Sequence, residues 1–377
     1  MQDLPNTIPI DSIAKSVTLT STKLNWPRQQ PFPAFPSQNT SWAATVLPGG
    51  TSIPPVELQL VTLHNISFIV SGGYDGIMID ESGRAVSASL AFTAPLDAGD
   101  DYQALPNKIG LRPIEESFDE IFVGFDSGWT NYFHWICYAL PKCYIAARIL
   151  PSTCVIGIPD YNKHAADPAA QSRRMVGYSE NVWRGSLEFF GLGHRVTALP
   201  AGVYRAKTLH MIWPKSRQPE ELINTDLFYT VFRELRQGLY RGETRRRLIY
   251  ISRKGVRDLR MTSDENGAIE KSLSKLGVEI LAPHKLTFPE QVQRFHDASL
   301  VVGAHGAGLV NILFGRDDLK ILELNRCIAP ELSMRPWFYV MAARRNLVYS
   351  YLDGTERGFP TSEIVDAVER LKRESRI

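Results

Sequence analysis

The feature that most constrains this chain is an unbroken alternation, from residue 224 to residue 373, of helix-length stretches with short apolar runs. The helix-length stretches fall at 224–238, 264–276, 288–297, 306–313, 332–344 and 362–373. Between them lie LIYIS (248–252), VEIL (278–281), LVVG (300–303), KILEL (320–324) and LVYSYL (347–352), each of strand length. A strand followed each time by a helix is carried back to the end of the sheet where it began, so successive strands run the same way. The pattern predicts a parallel, doubly wound α/β sheet.

At 377 residues the chain is too long for one ordinary core and fits two domains. A shorter alternation precedes the first. IFVGF (121–125) leads through a Gly-Trp turn into a helix over 132–150, followed by VIGI (155–158), a helix over 180–190 that ends at Gly191, and a strand over 203–212. Upstream, VELQLVTL, ISFIV and GIMID are broken by Gly72-Gly73 and by Glu81-Ser-Gly83, which predicts antiparallel strands over 56–89. Residues 93–118 read as loop. The expected organisation is an extended Pro-rich arm (1–55), an acceptor-side domain with a β appendage (56–213), a polar linker (214–222) and a second α/β domain (223–377).

Composition removes several function classes. Hydrophobic residues at 44% and charged residues at 22% are ordinary globular values, which excludes a disordered or fibrous chain. Lys plus Arg number 42 against 40 Asp plus Glu, so no long-range field draws the chain to nucleic acid and any anion site is local. The four cysteines, Cys137, Cys143, Cys154 and Cys327, show neither CxxC pairing nor zinc-type spacing, which favours a reducing, cytoplasmic setting. The first residues lack the features of a secretory signal, and no run of 18 apolar residues is present; peripheral membrane association stays open.

Ligands of open parallel sheets bind at the carboxyl ends of the strands. LIYIS leads into Arg253, VEILAP into His284, LVVG into His305, and KIL into Glu323, which predicts that Arg253, His305 and Glu323 converge on one edge. The turn Gly303-Ala-His305-Gly306-Ala307-Gly308 passes from strand to helix. Its small residues leave the backbone N–H groups of Gly306, Ala307 and Gly308 uncovered, a ready site for phosphate. Arg253 offers a fork of donors to a diphosphate, His305 an imidazole, and Glu323 an acceptor for ribose hydroxyls. Asn311 lies further into the helix, where it braces the loop. The His-Gly-Ala-Gly string also occurs in lipase oxyanion loops, but the chain has no G-x-S-x-G elbow, nor a G-x-x-x-x-G-K-[ST] phosphate loop.

Taken together, the motifs resemble glycosyltransferase family 61. Trp129-Thr-Asn131-Tyr-Phe-His134-Trp135 with Leu140-Pro-Lys142, Tyr250-Ile-Ser-Arg253, Phe288-Pro-Glu-Gln291, Gly303 to Asn311 with Phe314, and Leu322-Glu323-Leu324 carry the resemblance over roughly 120–350. It implies a GT-B arrangement of two Rossmann-like domains facing a cleft, an inverting mechanism, and a nucleotide-sugar donor held by the second domain at Arg253, His305 and Glu323. Two departures stand out. Ile136-Cys-Tyr-Ala139 follows the His-Trp pair where members often carry an acidic residue. Arg260-Met-Thr-Ser-Asp-Glu265 stands where members commonly show an Asn-Glu pair.

Inverting transfer to a carbohydrate acceptor needs a base at the acceptor hydroxyl and positive or dipolar groups on the leaving diphosphate. Arg253, His305 and the helix start serve the second need without a metal, and no compact carboxylate cluster suits a divalent ion, so no cofactor beyond the nucleotide-sugar co-substrate is expected. For the base, His134 and Asp126 are alternatives. Asn131 shares a helix face with His134 and suits a cap, and Trp129 offers an apolar platform on the acceptor side or packs the core. A sugar-nucleotide epimerase or hydrolase on the same fold, and a non-catalytic carbohydrate- or nucleotide-binding protein, are the rival classes.

Overall fold

The computed structural model describes residues 7–8, 12–13, 15–24, 32–33, 53–90, 102–125, 128–160, 180–214, 219–239, 246–255, 260–326, 337–355 and 358–373. The chain divides into two compact units, Met1–Lys23 with Pro55–Val231, and Leu24–Pro54 with Phe232–Ile377. The division runs through the helix Asp226–Leu239, beyond the polar stretch 214–222.

The second unit is the fully parallel sheet that the alternation predicts. Its strands stand in the order Glu279–Leu281, Arg247–Ile251, Ala298–Ala304, Lys320–Asn325, Val348–Asp353, with Phe32–Pro33 added beyond the last. Phe32 and Pro33 lie within the Pro-rich arm and pair with Ser350 and Tyr351, so this part of the arm extends a sheet. Helices Ser263–Lys275 and Phe288–His296 each begin on a capping box, Thr262 with Glu265 and Thr287 with Glu290. Ile269, Leu273 and Val368 from the helices pack against Tyr250, Val302, Leu322 and Leu352 from the strands to form one buried core. Parallel strands covered on both faces need such continuous apolar runs.

The first unit holds a nine-stranded mixed sheet. Pro113–Val123, Val155–Pro159, Val196–Leu199 and Gly202–Pro214 form its parallel part, and Gly202–Pro214 pairs antiparallel with Ile53–Val70. Ile53–Val70 is one 18-residue strand, because Gly202–Pro214 pairs with it from Leu58 to Val70. Met78–Ile79 and Ala85–Val86 continue the antiparallel part. The loop expected over 93–118 is corrected at its end: Pro113–Ser117 belong to the strand, held against Val203 and Arg205 despite their polar composition. The helix expected over 132–150 spans Tyr132–Ile149, with a π-helical stretch at Trp135–Ala139. Among the described residues, no helix is long and apolar enough to cross a membrane.

Candidate donor site

Topology selects one edge of the second unit. Counted along the chain, its five main strands stand in the order second, first, third, fourth, fifth. The connections leaving the first and third strands therefore go to opposite faces and open a crevice at their carboxyl ends, the position where doubly wound sheets bind ligands. Those two strands are Arg247–Ile251 and Ala298–Ala304, and the pairing of Ile251 with Gly303 sets their exits level. Arg253 leaves the first exit; His305 and Gly306 leave the second.

At Gly306 the backbone passes so close to Arg253 that a Cβ there would lie 2.7 Å from the guanidinium Nη1. Arg260, a residue that sequence reasoning did not single out, donates from Nη1 to the carbonyl of His305 at 3.1 Å. The helix that follows, Ala307–Phe314, is 3₁₀ rather than α, and its first hydrogen bond runs from Leu309 N–H to the Gly306 carbonyl at 3.0 Å. The amides of Ala307 and Gly308 thus precede the helical ladder, the position at which an anion is accepted. Asn311 is fully buried and donates to the Gly308 carbonyl (3.2 Å) and Gln291 Oε1 (3.4 Å), so it shapes the turn from inside.

Arg253 is set by its neighbours. Its N–H donates to Asn266 Oδ1 (3.1 Å), which also accepts from the Tyr250 hydroxyl (3.0 Å), while Asn266 Nδ2 and Ser252 Oγ donate to Glu270 Oε1 at 2.7 and 2.5 Å. An asparagine does therefore stand in this segment, one residue past Glu265, and it fixes the strand end that carries Arg253. Burial first, then the positive charge of Arg260, pull the Arg253 guanidinium down to about 10. Two like charges on one partly buried turn repel one another, and an anion bound between them would relieve both.

Glu323 has a different setting from the one expected. It pairs in register with Gly303, inside the strand rather than at its end, and is 1% exposed. Its carboxylate accepts from Nδ1 of His305, from the Tyr349 hydroxyl at 2.5 Å and from Asn325 Nδ2 at 3.2 Å. With two further donors already on the carboxylate, the imidazole carries its proton on Nδ1, which leaves Nε2 for a ligand. Burial, then Glu323, push the Tyr349 phenol well above its usual value and keep it a donor. Glu323 thus holds His305 in place. Phe338 packs edge-to-face on the ring, 5.2 Å between centroids.

The residues expected on the acceptor side belong to the first unit. Asn131 is exposed and caps the helix, its Oδ1 accepting from Phe133 N–H at 2.9 Å. His134 is partly exposed, with its ring edge-on to Tyr138 four residues later. Trp129 as a sugar platform is corrected: it is fully buried, its indole N–H donates to Asp75 Oδ2 at 2.8 Å, and it packs with Trp135 and Trp183. Trp135 is buried beside it and donates to Ser186 Oγ at 2.9 Å. Asp126 lies outside the described residues.

Comparison with known proteins bears on the same segments. A stretch of this chain is 33% identical over 104 residues to a beta-1,2-xylosyltransferase of Arabidopsis thaliana, covering 26% of this chain and 18% of that protein. The matched part is thus less than a fifth of the length of that relative. The family model for glycosyltransferase 61 matches residues 132–322, which run from the start of the capped helix to the strand bearing Glu323. That match takes in just over half of the chain, and the chain belongs to glycosyltransferase family 61.

Proposed function

We propose that this chain is an inverting glycosyltransferase that moves a sugar from a nucleotide-sugar donor to a carbohydrate acceptor in the assembly of a surface polysaccharide. The observation that carries the reading is the convergence of Arg253, Arg260 and the Glu323-held His305 on the Gly306 turn, at the crevice of a doubly wound sheet. In this reading the two units follow a GT-B plan, with the donor on the second and the acceptor on the first. Arg253 and the amides of Ala307 and Gly308 hold the diphosphate, and the Glu323-held His305 presents Nε2 to the donor. As the glycosidic bond to phosphate breaks, negative charge grows on the leaving oxygen, and fixed cations and N–H groups stabilise that change without reorganising.

This arrangement supplies positive charge without a metal, so transfer is expected to persist in excess chelator. On the acceptor side, His134 takes the hydroxyl proton; its partial exposure at the start of the capped helix supports that part, and Asp126 is the alternative base. The similarity to a xylosyltransferase places pentosyl donors beside hexosyl donors in the panel to be tried.

The test is transfer from a panel of nucleotide sugars by the wild type, Arg253→Ala and His305→Ala. Each variant is expected to lose at least about a hundredfold in kcat/KM, about 2.7 kcal/mol of transition-state stabilisation, while its circular dichroism stays unchanged. Unchanged kinetics in both variants would overturn the donor assignment. Full turnover of donor without acceptor would instead identify an epimerase or hydrolase.

A further inference from the structure

Three neighbouring strands of the first unit, and the residue just before a fourth, bring polar groups to one row across the sheet, well apart in sequence. Register sets the row. Thr62 stands opposite His210, Glu120 opposite Thr208, two residues from His210 on the same face, and Ile121 opposite Val155, which leaves Cys154 beside Glu120. His210 Nε2 lies 2.9 Å from Glu120 Oε1, and His210 Nδ1 lies 2.9 Å from Thr62 Oγ1. One ligand atom from each of Glu120, Cys154 and His210 falls within 4.8 Å of the other two. Cys154 is 1% exposed and His210 7%, while the Glu120 side chain is 30% exposed and keeps one side of the cluster open to water.

A thiol, an imidazole and a carboxylate gathered this closely are a donor set of the kind that holds a divalent metal. Thr62 can accept the proton of Nδ1, and Nε2 then faces the Glu120 carboxylate as acceptor against acceptor, an arrangement that calls for a cation between them. In the rival arrangement Thr62 donates to Nδ1 and Nε2–H donates to Glu120. That satisfies the imidazole and leaves the sulfur with backbone contacts alone, a 3.7 Å approach to the Val155 carbonyl and a hydrogen bond from the Phe122 backbone.

Ligand atoms about 2.0–2.3 Å from a shared tetrahedral metal stand roughly 3.3–3.8 Å from one another, which small side-chain shifts here provide. We propose that Glu120, Cys154 and His210 form a binding site for a zinc-type divalent cation, with Thr62 orienting the imidazole and water filling the fourth position. The mixed sulfur, nitrogen and oxygen set selects zinc over magnesium or calcium. On binding, the Cys154 S–H bond breaks, its proton passes to solvent, and the thiolate pair forms the bond to the metal. The site clamps three adjacent strands and takes no part in the donor chemistry of the other unit.

The test is cobalt(II) titration of the chelator-treated full chain. The expected result is a near-ultraviolet sulfur-to-cobalt charge-transfer band that saturates at one cobalt per chain and is abolished by zinc. Cys154→Ser is expected to lose that band while keeping its circular dichroism, and Thr62→Val to keep the band with about tenfold weaker affinity. A wild type without a sulfur band, or an undiminished band in Cys154→Ser, overturns the site. If Cys154→Ser does not fold, the wild-type titration and Thr62→Val decide, and unchanged cobalt affinity in Thr62→Val refutes the orientation argument. No arm depends on transferase activity, so failure here and failure of the donor assignment are separate results.

Discussion

Replacing Glu323 by glutamine removes one buried charge and almost no volume. The carboxylate, 1% exposed, accepts from His305 Nδ1, from the Tyr349 hydroxyl at 2.5 Å and from Asn325 Nδ2 at 3.2 Å. In Glu323→Gln one terminal atom becomes a donor, so at least one of those three partners meets an N–H instead of an oxygen. Leaving one buried donor unmet costs about 1–3 kcal/mol, and loss of the charge-assisted contact to His305 brings the expected destabilisation to about 2–4 kcal/mol. The imidazole also loses the acceptor that fixes its tautomer. Affinity for inorganic pyrophosphate, which presents the diphosphate alone, is expected to fall about tenfold, or about 1.4 kcal/mol. Urea unfolding measures the first quantity and isothermal titration calorimetry the second. Tyr349→Phe removes one donor but leaves the charge, so the two substitutions should couple by about 1 kcal/mol in a double-mutant cycle. Wild-type stability together with wild-type pyrophosphate affinity in Glu323→Gln would refute the positioning of His305 by Glu323.

Other consequences follow from single contacts. Gly306→Ala sets a Cβ 2.7 Å from the Arg253 Nη1 on a backbone that only glycine adopts readily, so it is expected to displace the guanidinium, weaken pyrophosphate binding at least about tenfold and cost about 1–3 kcal/mol of stability, as calorimetry and thermal unfolding would record. Trp129→Phe deprives the buried Asp75 carboxylate of a donor; a loss of about 2–3 kcal/mol in urea unfolding is expected, with the KM for acceptor unchanged. Arg253 binds an anion only while protonated, and its value is depressed to about 10. Pyrophosphate affinity is therefore full below that pH and falls as pH rises through about 10, whereas Arg253→Ala shows no such fall.

Periodicity made the second unit legible because a parallel sheet covered by helices writes its strands as apolar runs, and Arg253, His305 and Gly306 follow such runs directly. Glu323 was placed correctly on its strand, but its burial and its partners were not legible. When both faces of a sheet are covered, alternation does not tell a buried carboxylate from one at a strand end, and Tyr349 lies 26 residues away. Trp129 stayed open between platform and core for a similar reason, since the partner that settles its burial, Asp75, stands 54 residues upstream. The strand start at Pro113 was hidden by its polar composition, and only the pairing with Gly202–Pro214 makes it a strand. The row of Glu120, Cys154 and His210 has no local spacing to read, because sheet register assembles it from two strands and the residue before a third. Arg260 was quoted only as part of a departure from the family pattern. Its approach to the His305 carbonyl is a tertiary fact with no signature in the chain.

The place of the donor diphosphate is decided by thermal unfolding of the wild type and Arg253→Ala against a panel of nucleotide sugars and their free nucleotides. Saturation at about a hundred times Kd stabilises a folded protein by about 2.7 kcal/mol, which for a unit of this size raises the midpoint by roughly 5–10 °C. The expected result is a rise of that order in the wild type with a nucleoside-diphosphate sugar and its nucleotide, and none in Arg253→Ala. Equal shifts in both proteins, or no shift with any nucleotide, would contradict a donor site built on Arg253 and the Gly306 turn.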